Sequence, residues 1–174
     1  MTNCYINVNF GGIELKKLRI LAVIILLSTI SGCSVQKHGN DLSAFCKRTE
    51  SYGENYTVTV NGFIADSDKY TKFFHIDGHD IMIRLGKDKK NRLNTLDIVL
   101  PNGAAESETA IYFGKICILA FVNNEEICEK LNIDGMLEAA KTPSPQTKTA
   151  DAQGVGISVD SLEAGAVISV YFSA

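Results

Sequence analysis

The chain has little of what enzyme chemistry at neutral pH is usually built from. It holds 3 histidines in 174 residues, His38, His75 and His79, so general bases that titrate near neutrality are scarce. No G-x-S-x-G elbow, H-E-x-x-H pair, Walker loop or dinucleotide fingerprint occurs. No catalytic residue, cofactor or metal is therefore expected. A basic balance is missing too: the formal net charge is −3, and a chain that binds nucleic acid must neutralise phosphates. There is no internal repeat. The longest apolar run lies near the N-terminus and falls short of the ~20 residues that a membrane span needs.

That run, Leu18–Ser34 (LRILAVIILLSTISGCS), follows Lys16 and Lys17. It reads as a basic n-region, an apolar h-region and a processing site. Its end, Ile30-Ser31-Gly32-Cys33, resembles the lipobox of bacterial lipoproteins. The small residues let a peptidase inside the bilayer approach the backbone, and a cysteine is needed because a thiolate can take the lipid. The resemblance implies a signal peptide over 15–32, a diacylglyceryl group on Cys33 and an acylated new N-terminus. Residues 33–40 would then be a short polar tether. In that family an Asp after the cysteine retains the protein at the inner membrane. Ser34 therefore implies the periplasmic face of the outer membrane, where the source has two membranes. Two or three acyl chains anchor stably, whereas one holds only marginally.

Residues 1–14 do not fit a leader, because they carry no Lys or Arg and place Glu14 just before the lysines. An orthodox leader would start at Leu15, since the leucine codons TTG and CTG can initiate as methionine. Gly11-Gly12 can encode a purine-rich ribosome-binding site two codons upstream. Residues 1–14, Cys4 included, are thus expected to be upstream sequence read as protein. The mature chain would start at Cys33. Removing Lys16, Lys17, Arg19 and Glu14 leaves 14 basic and 19 acidic residues, a net of about −5.

The remainder, 41–174, has the size of one β-rich domain. Asn40 or Asp41 can cap a short helix with Leu42, Phe45, Cys46 and Thr49 on one face. Tyr56–Ile64 alternates as a half-buried strand, with Gly62 at a bend. Asp77-Gly78 between apolar runs predicts a type I′ hairpin over Tyr70–Leu85. In that register Ile76 faces His79, His75 faces Asp80, Phe74 faces Ile81 and Phe73 faces Met82. His75 and His79 then lie on opposite faces. The metal-like motif HIDGHD reduces to a cross-strand pair, His75–Asp80, and a turn at Asp77.

Gly86–Asn94 reads as a basic, solvated loop, and Leu96–Leu100 as a strand closed by Pro101-Asn102-Gly103. Ala104–Thr109 reads as a loop. Ile111–Val122 (IYFGKICILAFV) is apolar on both faces and predicts a central strand. Asn123 with Glu126 resembles a capping box for a helix that buries Ile127, Cys128 and Leu131, interrupted near Gly135. Thr142–Gly154 reads as a long loop, followed by closing strands Val155–Val159 and Ala166–Phe172.

This predicts a mainly β domain with two short helices. The pattern at Val58–Ile64, the FFHIDG hairpin and the closing LEAGAVISV look like a small OB-type β-barrel. The alternative is a two-sheet β-sandwich with a helix. Tyr56, Phe63, Tyr70 and Phe73 are the candidate ligand face, although aromatic strand residues more often pack. Beyond the membrane the compartment is oxidising. Cys46, Cys117 and Cys128 remain there after lipidation and leader removal. A Cys46–Cys128 bridge is expected first, Cys117–Cys128 second and Cys46–Cys117 third. Function divides into two classes. One is a non-enzymatic, membrane-anchored envelope lipoprotein that binds an envelope protein, peptide or glycan. The other is a small envelope hydrolase or metal-dependent enzyme.

Overall fold

A computed structural model describes residues 40–53, 58–142 and 145–173. The lipobox with Cys33, and Tyr56, lie outside the described residues. The described residues fall within one unit, Lys37–Ala174.

The first element is helix α1, Leu42–Tyr52, capped by Asp41, whose side chain accepts from the Ala44 amide at 2.8 Å. Its Phe45, Cys46 and Thr49 are buried, the face expected from their spacing. A four-strand meander follows: β1 Ile64–Ala65, β2 Lys69–Ile76, β3 His79–Lys87 and β4 Leu93–Pro101. Three helices come next: α2 Glu108–Val122, α3 Glu125–Lys130 and α4 Ile133–Ala140. The chain ends in β5 Gln146–Ala152, β6 Val155–Leu162 and β7 Gly165–Phe172. All neighbours are antiparallel, in the order β1-β2-β3-β4-β7-β6-β5.

The protein is thus mainly β, a seven-stranded antiparallel sheet with short helices. The sheet stays open among the described residues, so neither a closed OB-type barrel nor a two-sheet sandwich is formed. Its two outermost strands, β1 and β5, are not paired with each other. One face carries Ile81, Ile83, Leu85, Leu96, Ile98, Leu100, Ile157, Val159, Ile168 and Val170, all at most 1% exposed. Helices α2 and α4 pack on the sheet, and α1 packs on α2. Alternate residues point to the other face, as the period of a strand requires. No helix among the described residues is long and apolar enough to cross a membrane.

The β2–β3 hairpin has the expected register: His75↔Asp80, Ile76↔His79, Phe74↔Ile81 and Phe73↔Met82. Asp77 and Gly78 both have positive φ, 49° and 80°, as a type I′ turn demands. His75 Nδ1 lies 2.9 Å from Asp80 Oδ1. His79 pairs with Ile76 on the helix-covered side, so the two histidines do point to opposite faces.

Three expectations are corrected. Ile111–Val122 is helix, not strand: Ser107 caps α2, and nine of its fifteen residues are buried, leaving only a narrow strip with Tyr112, Lys115 and Leu119 partly open. A run that is apolar on every side carries no stripe to separate helix from strand. Of the long strand expected over Tyr56–Ile64, the described residues 58–63 are not strand, and Ile64–Ala65 alone pairs with β2. Gly62, with φ 86°, and a turn from the Phe63 amide to the Val60 carbonyl redirect the chain instead. Thr142–Gly154 is not wholly loop, because Gln146–Ala152 forms edge strand β5. The capping near Asn123 is also redistributed. Asn123 ends α2 in the left-handed region, Asn124 caps α3, and the break before α4 falls at Asn132 rather than Gly135.

Candidate functional site

The residues expected to form a ligand face are divided by the sheet. Tyr70 is opposite Leu85, on the helix-covered side, with Lys87 Nζ 4.2 Å above its ring. Phe63 packs edge-on against Phe74 at 6.5 Å between ring centres. Phe74 in turn meets Phe113 of α2 at 4.9 Å. Both Tyr70 and Phe63 are partly buried against the core. Phe73 alone points the other way and is 60% exposed. Tyr70 and Phe63 are thus packing residues.

Phe73 belongs to a different surface. On the face that no described helix covers it is paired with Met82, Met82 with Val99 and Val99 with Val167, so an apolar row crosses β2, β3, β4 and β7. Beside it runs a polar row, Thr71, Arg84, Asp97 and Ser169. Ser169 donates to Asp97 Oδ1 at 2.8 Å, while Arg84 Nε lies 3.4 Å from Asp97 Oδ2 without hydrogen-bond geometry and is left unsatisfied. Ile64, diagonal to Phe73 across β1 and β2, is 69% exposed, and Val60 in the preceding turn is 47% exposed. Two of the large exposed apolar side chains, Ile64 and Phe73, are therefore neighbours on this face at the β1–β2 edge.

That edge is also incomplete in its main chain. Strand β2 has eight residues, but β1 pairs only with Tyr70 and Thr71. From Lys72 to Ile76 no strand among the described residues covers the outer side of β2. The turn over 59–62 crosses the helix side instead, held by Lys72 Nζ. That ammonium donates to the Asn61 carbonyl at 2.7 Å and to the Thr59 carbonyl at 3.2 Å.

Two other places carry polar chemistry. At the hairpin tip Ser107 Oγ donates to Asp77 Oδ2 at 2.6 Å and accepts from the Ala110 amide at 3.1 Å. Hydrogen bonds from Ser107 and Thr109 hold the Asp77 carboxyl below its ordinary range. The Ser107 proton is directed at that carboxylate, not at an imidazole, so the grouping is a helix cap rather than an activated nucleophile. Between the helices lies an open cleft of about 430 Å³ lined by Tyr52, Lys115, Glu125, Cys128, Glu129 and Asp134. Its charge is partly cancelled by a Lys115–Asp134 ion pair at 2.6 Å. Among the described residues no group of three His, Cys, Asp or Glu is placed to hold a metal ion.

The bridge expected between Cys46 and Cys128 is not formed. Cys46, Cys117 and Cys128 are all free and buried. Burial raises the Cys46 and Cys128 thiols to about 11 each, and raises Cys117 further. Lys72 and Glu50 perturb Cys46, whereas Asn124 and Glu125 perturb Cys128, so the two thiols have different surroundings. Cys128 lines the helical cleft.

Sequence reasoning missed the edge for one reason. Tyr56–Ile64 has the alternation of a strand that would cover β2, and of its described residues only Ile64 pairs with that strand. No family model, curated protein or solved structure matches the chain.

Proposed function

We propose that the protein is a non-enzymatic, lipid-anchored envelope protein that holds a partner protein through the outer edge of β2. The observation that carries this is the coincidence of Ile64 and Phe73, 69% and 60% exposed, with the main chain of Lys72–Ile76, whose outer side no strand among the described residues pairs. An edge of unpaired amides and carbonyls is a template for another strand, and exposed apolar side chains beside it supply selectivity. The occupant is an extended segment of an envelope protein, which would add antiparallel or parallel to β2. The lipid on Cys33 would keep the domain at the outer membrane, facing the periplasm.

The hydrolase reading has less support, because the Ser107–Asp77 pair is spent on capping and the described histidines His75 and His79 are separated by the sheet. A cross-link test decides the edge. A photo-reactive amino acid at Phe73 in the full chain should capture a discrete envelope protein, and one at Thr149 on the opposite edge strand should not. Equal capture at both positions, or none at Phe73, would refute the edge as the docking surface. Replacing Cys33 with Ser tests the anchor: the reading fails if mass and membrane fraction stay as in the wild type.

A further inference from the structure

The domain is held to its tether at the same place where it carries its densest positive charge. The Leu93 amide donates to the carbonyl of Asn40 at 2.6 Å. Asn40 is the first described residue after 1–39, and Leu93 begins β4 directly after Lys87, the last residue of β3, and the loop Asp88-Lys89-Lys90-Asn91-Arg92. That loop is a built structure. Asp88 Oδ1 accepts from the amides of Lys90 and Arg92 at 2.8 and 3.0 Å, and Asp88 Oδ2 takes Arg92 Nε at 2.7 Å. Asn91 turns the chain with φ 57°. Arg92 is thereby committed to Asp88, and Lys87 lies over the Tyr70 ring. Lys89 and Lys90 are left exposed at the tip.

We propose that Lys89 and Lys90 face the anionic phospholipid headgroups of the bilayer that holds the anchor, and so fix which side of the domain meets the membrane. The inference rests on the lipoprotein reading. Cys33 precedes Asn40 by seven residues, so even a fully extended tether reaches no more than about 25 Å. A tether that short keeps the Asn40 end of the sheet near the headgroups. The mature chain is acidic overall, yet Lys87 and the loop after it hold four basic residues against one acidic residue. Asp41 caps α1 beside the tether, and Asp66 and Asp68 sit in the adjoining β1–β2 turn. They offset the net charge of that stretch, and Lys69, which begins β2 next to them, leaves these groups one charge positive, with Lys89 and Lys90 the exposed cations. A lipid chain combined with a cationic patch is a stronger membrane signal than the chain alone. The opposite ends of the strands, with Asp77-Gly78 and Asn102-Gly103, then point away from the bilayer.

The experiment uses the full-length protein, purified from bacterial membranes and reconstituted into two kinds of vesicle. One is phosphatidylcholine alone, the other phosphatidylcholine mixed with phosphatidylglycerol. An amine-acylating reagent is applied from outside, and mass spectrometry reads each lysine. Lys89 and Lys90 should react about fivefold more slowly on the anionic vesicles, the effect expected of a cation near a charged leaflet. Raised salt should restore their reactivity, because exposed charge pairs are screened. Lys141 and Lys148, near the far ends of the strands, should react alike on both. Equal reactivity of Lys89 and Lys90 on the two vesicles overturns the inference, and so does equal slowing of all lysines. The same spectra report the mass of the peptide that starts at Cys33. A lipidated Cys33 with unprotected lysines sinks the orientation alone, whereas an unlipidated Cys33 sinks the anchor on which it rests.

Discussion

The guanidinium of Arg48 in α1 donates through Nε to the carbonyl oxygen of Ala120 in α2, at 2.6 Å and 72 positions along the chain. The last carbonyls of a helix have no partner inside it. Here Asn123 closes on the Leu119 carbonyl at 2.8 Å, Arg48 takes Ala120, and Asn40 Nδ2 takes the Phe121 carbonyl at 3.3 Å. Arg48 also donates to Asn40 Oδ1, so one cation ties both caps together. Its positive charge is favourable at the negative end of the helix dipole.

Replacing Arg48 with Met keeps the apolar stem and removes the donors. The expected loss is about 2 kcal/mol, the usual worth of a hydrogen bond to a charged group. Urea unfolding of the variant measures it. A change within the noise of the method would mean that water caps the Ala120 carbonyl equally well.

Ser107→Ala removes the cap of α2 and the hydrogen bond to Asp77 together. Stability should fall by about 1 kcal/mol, as for other lost N-caps. The Asp77 carboxyl, now below its ordinary range, should titrate higher. Carbon-13 titration of the side-chain carboxyl reads that shift directly, and an unchanged midpoint would exclude Ser107 as its main cause.

Asp88 gives a pH dependence of known sign. The Arg92 side chain, foremost, with the Arg92 and Lys90 amides, lowers its carboxyl to about 2. A carboxylate depressed in the folded state stabilises it above the unfolded pKa of about 3.9, and that contribution is lost as pH falls through the folded value. Arg92→Gln should therefore raise the Asp88 midpoint and flatten the decline of melting temperature between those two pH values. The opposite slope would contradict the assignment.

Gly165 begins β7 beside β4, with φ 133°. A Cβ there would lie 2.1 Å from the Leu100 carbonyl oxygen. Gly165→Ala should cost about 3 kcal/mol, since backbone must move as well as adopt a disfavoured conformation. Gly78→Ala is the matching control. Its φ is 80°, but a Cβ would meet nothing within 4 Å, so only the conformational penalty of about 1 kcal/mol remains. Equal losses in the two variants would show that the clash is absorbed elsewhere.

Local signals of known chemistry were legible in the chain. Asp77-Gly78 specified its turn, and the turn specified the whole β2–β3 register down to His75 opposite Asp80. Asp41 and the spacing of Phe45, Cys46 and Thr49 specified α1. What stayed hidden depends on what lies on top of a segment. Helix α2 is covered on most sides, and burial on all sides erases the periodicity that marks a helix. Strand β5 is a polar edge: Lys148 turns inward to the Gly135 carbonyl at 2.8 Å, and only Ala150 and Ala152 add apolar packing. Its hairpin turn, Gln153-Gly154, has positive φ at both positions, but glutamine is a poor advertisement for that conformation. The open stretch of the β2 edge was illegible because, among the described residues, the preceding segment pairs with β2 only at Ile64 and Ala65.

The order of the strands also sets a sequence of events in time. Strands β1 to β4 are neighbours along the chain, and so are β5 to β7. The two groups meet only where β4 pairs with β7, from Thr95↔Tyr171 to Pro101↔Gly165. Closing that seam requires the chain to bring together residues separated by the three helices, and such distant pairings are slow to form. Until it closes, β4 is a bare edge with Leu96, Ile98 and Leu100 unprotected by their neighbours on β7. A nascent chain that has not yet released residue 165 is therefore a protein with a sticky margin.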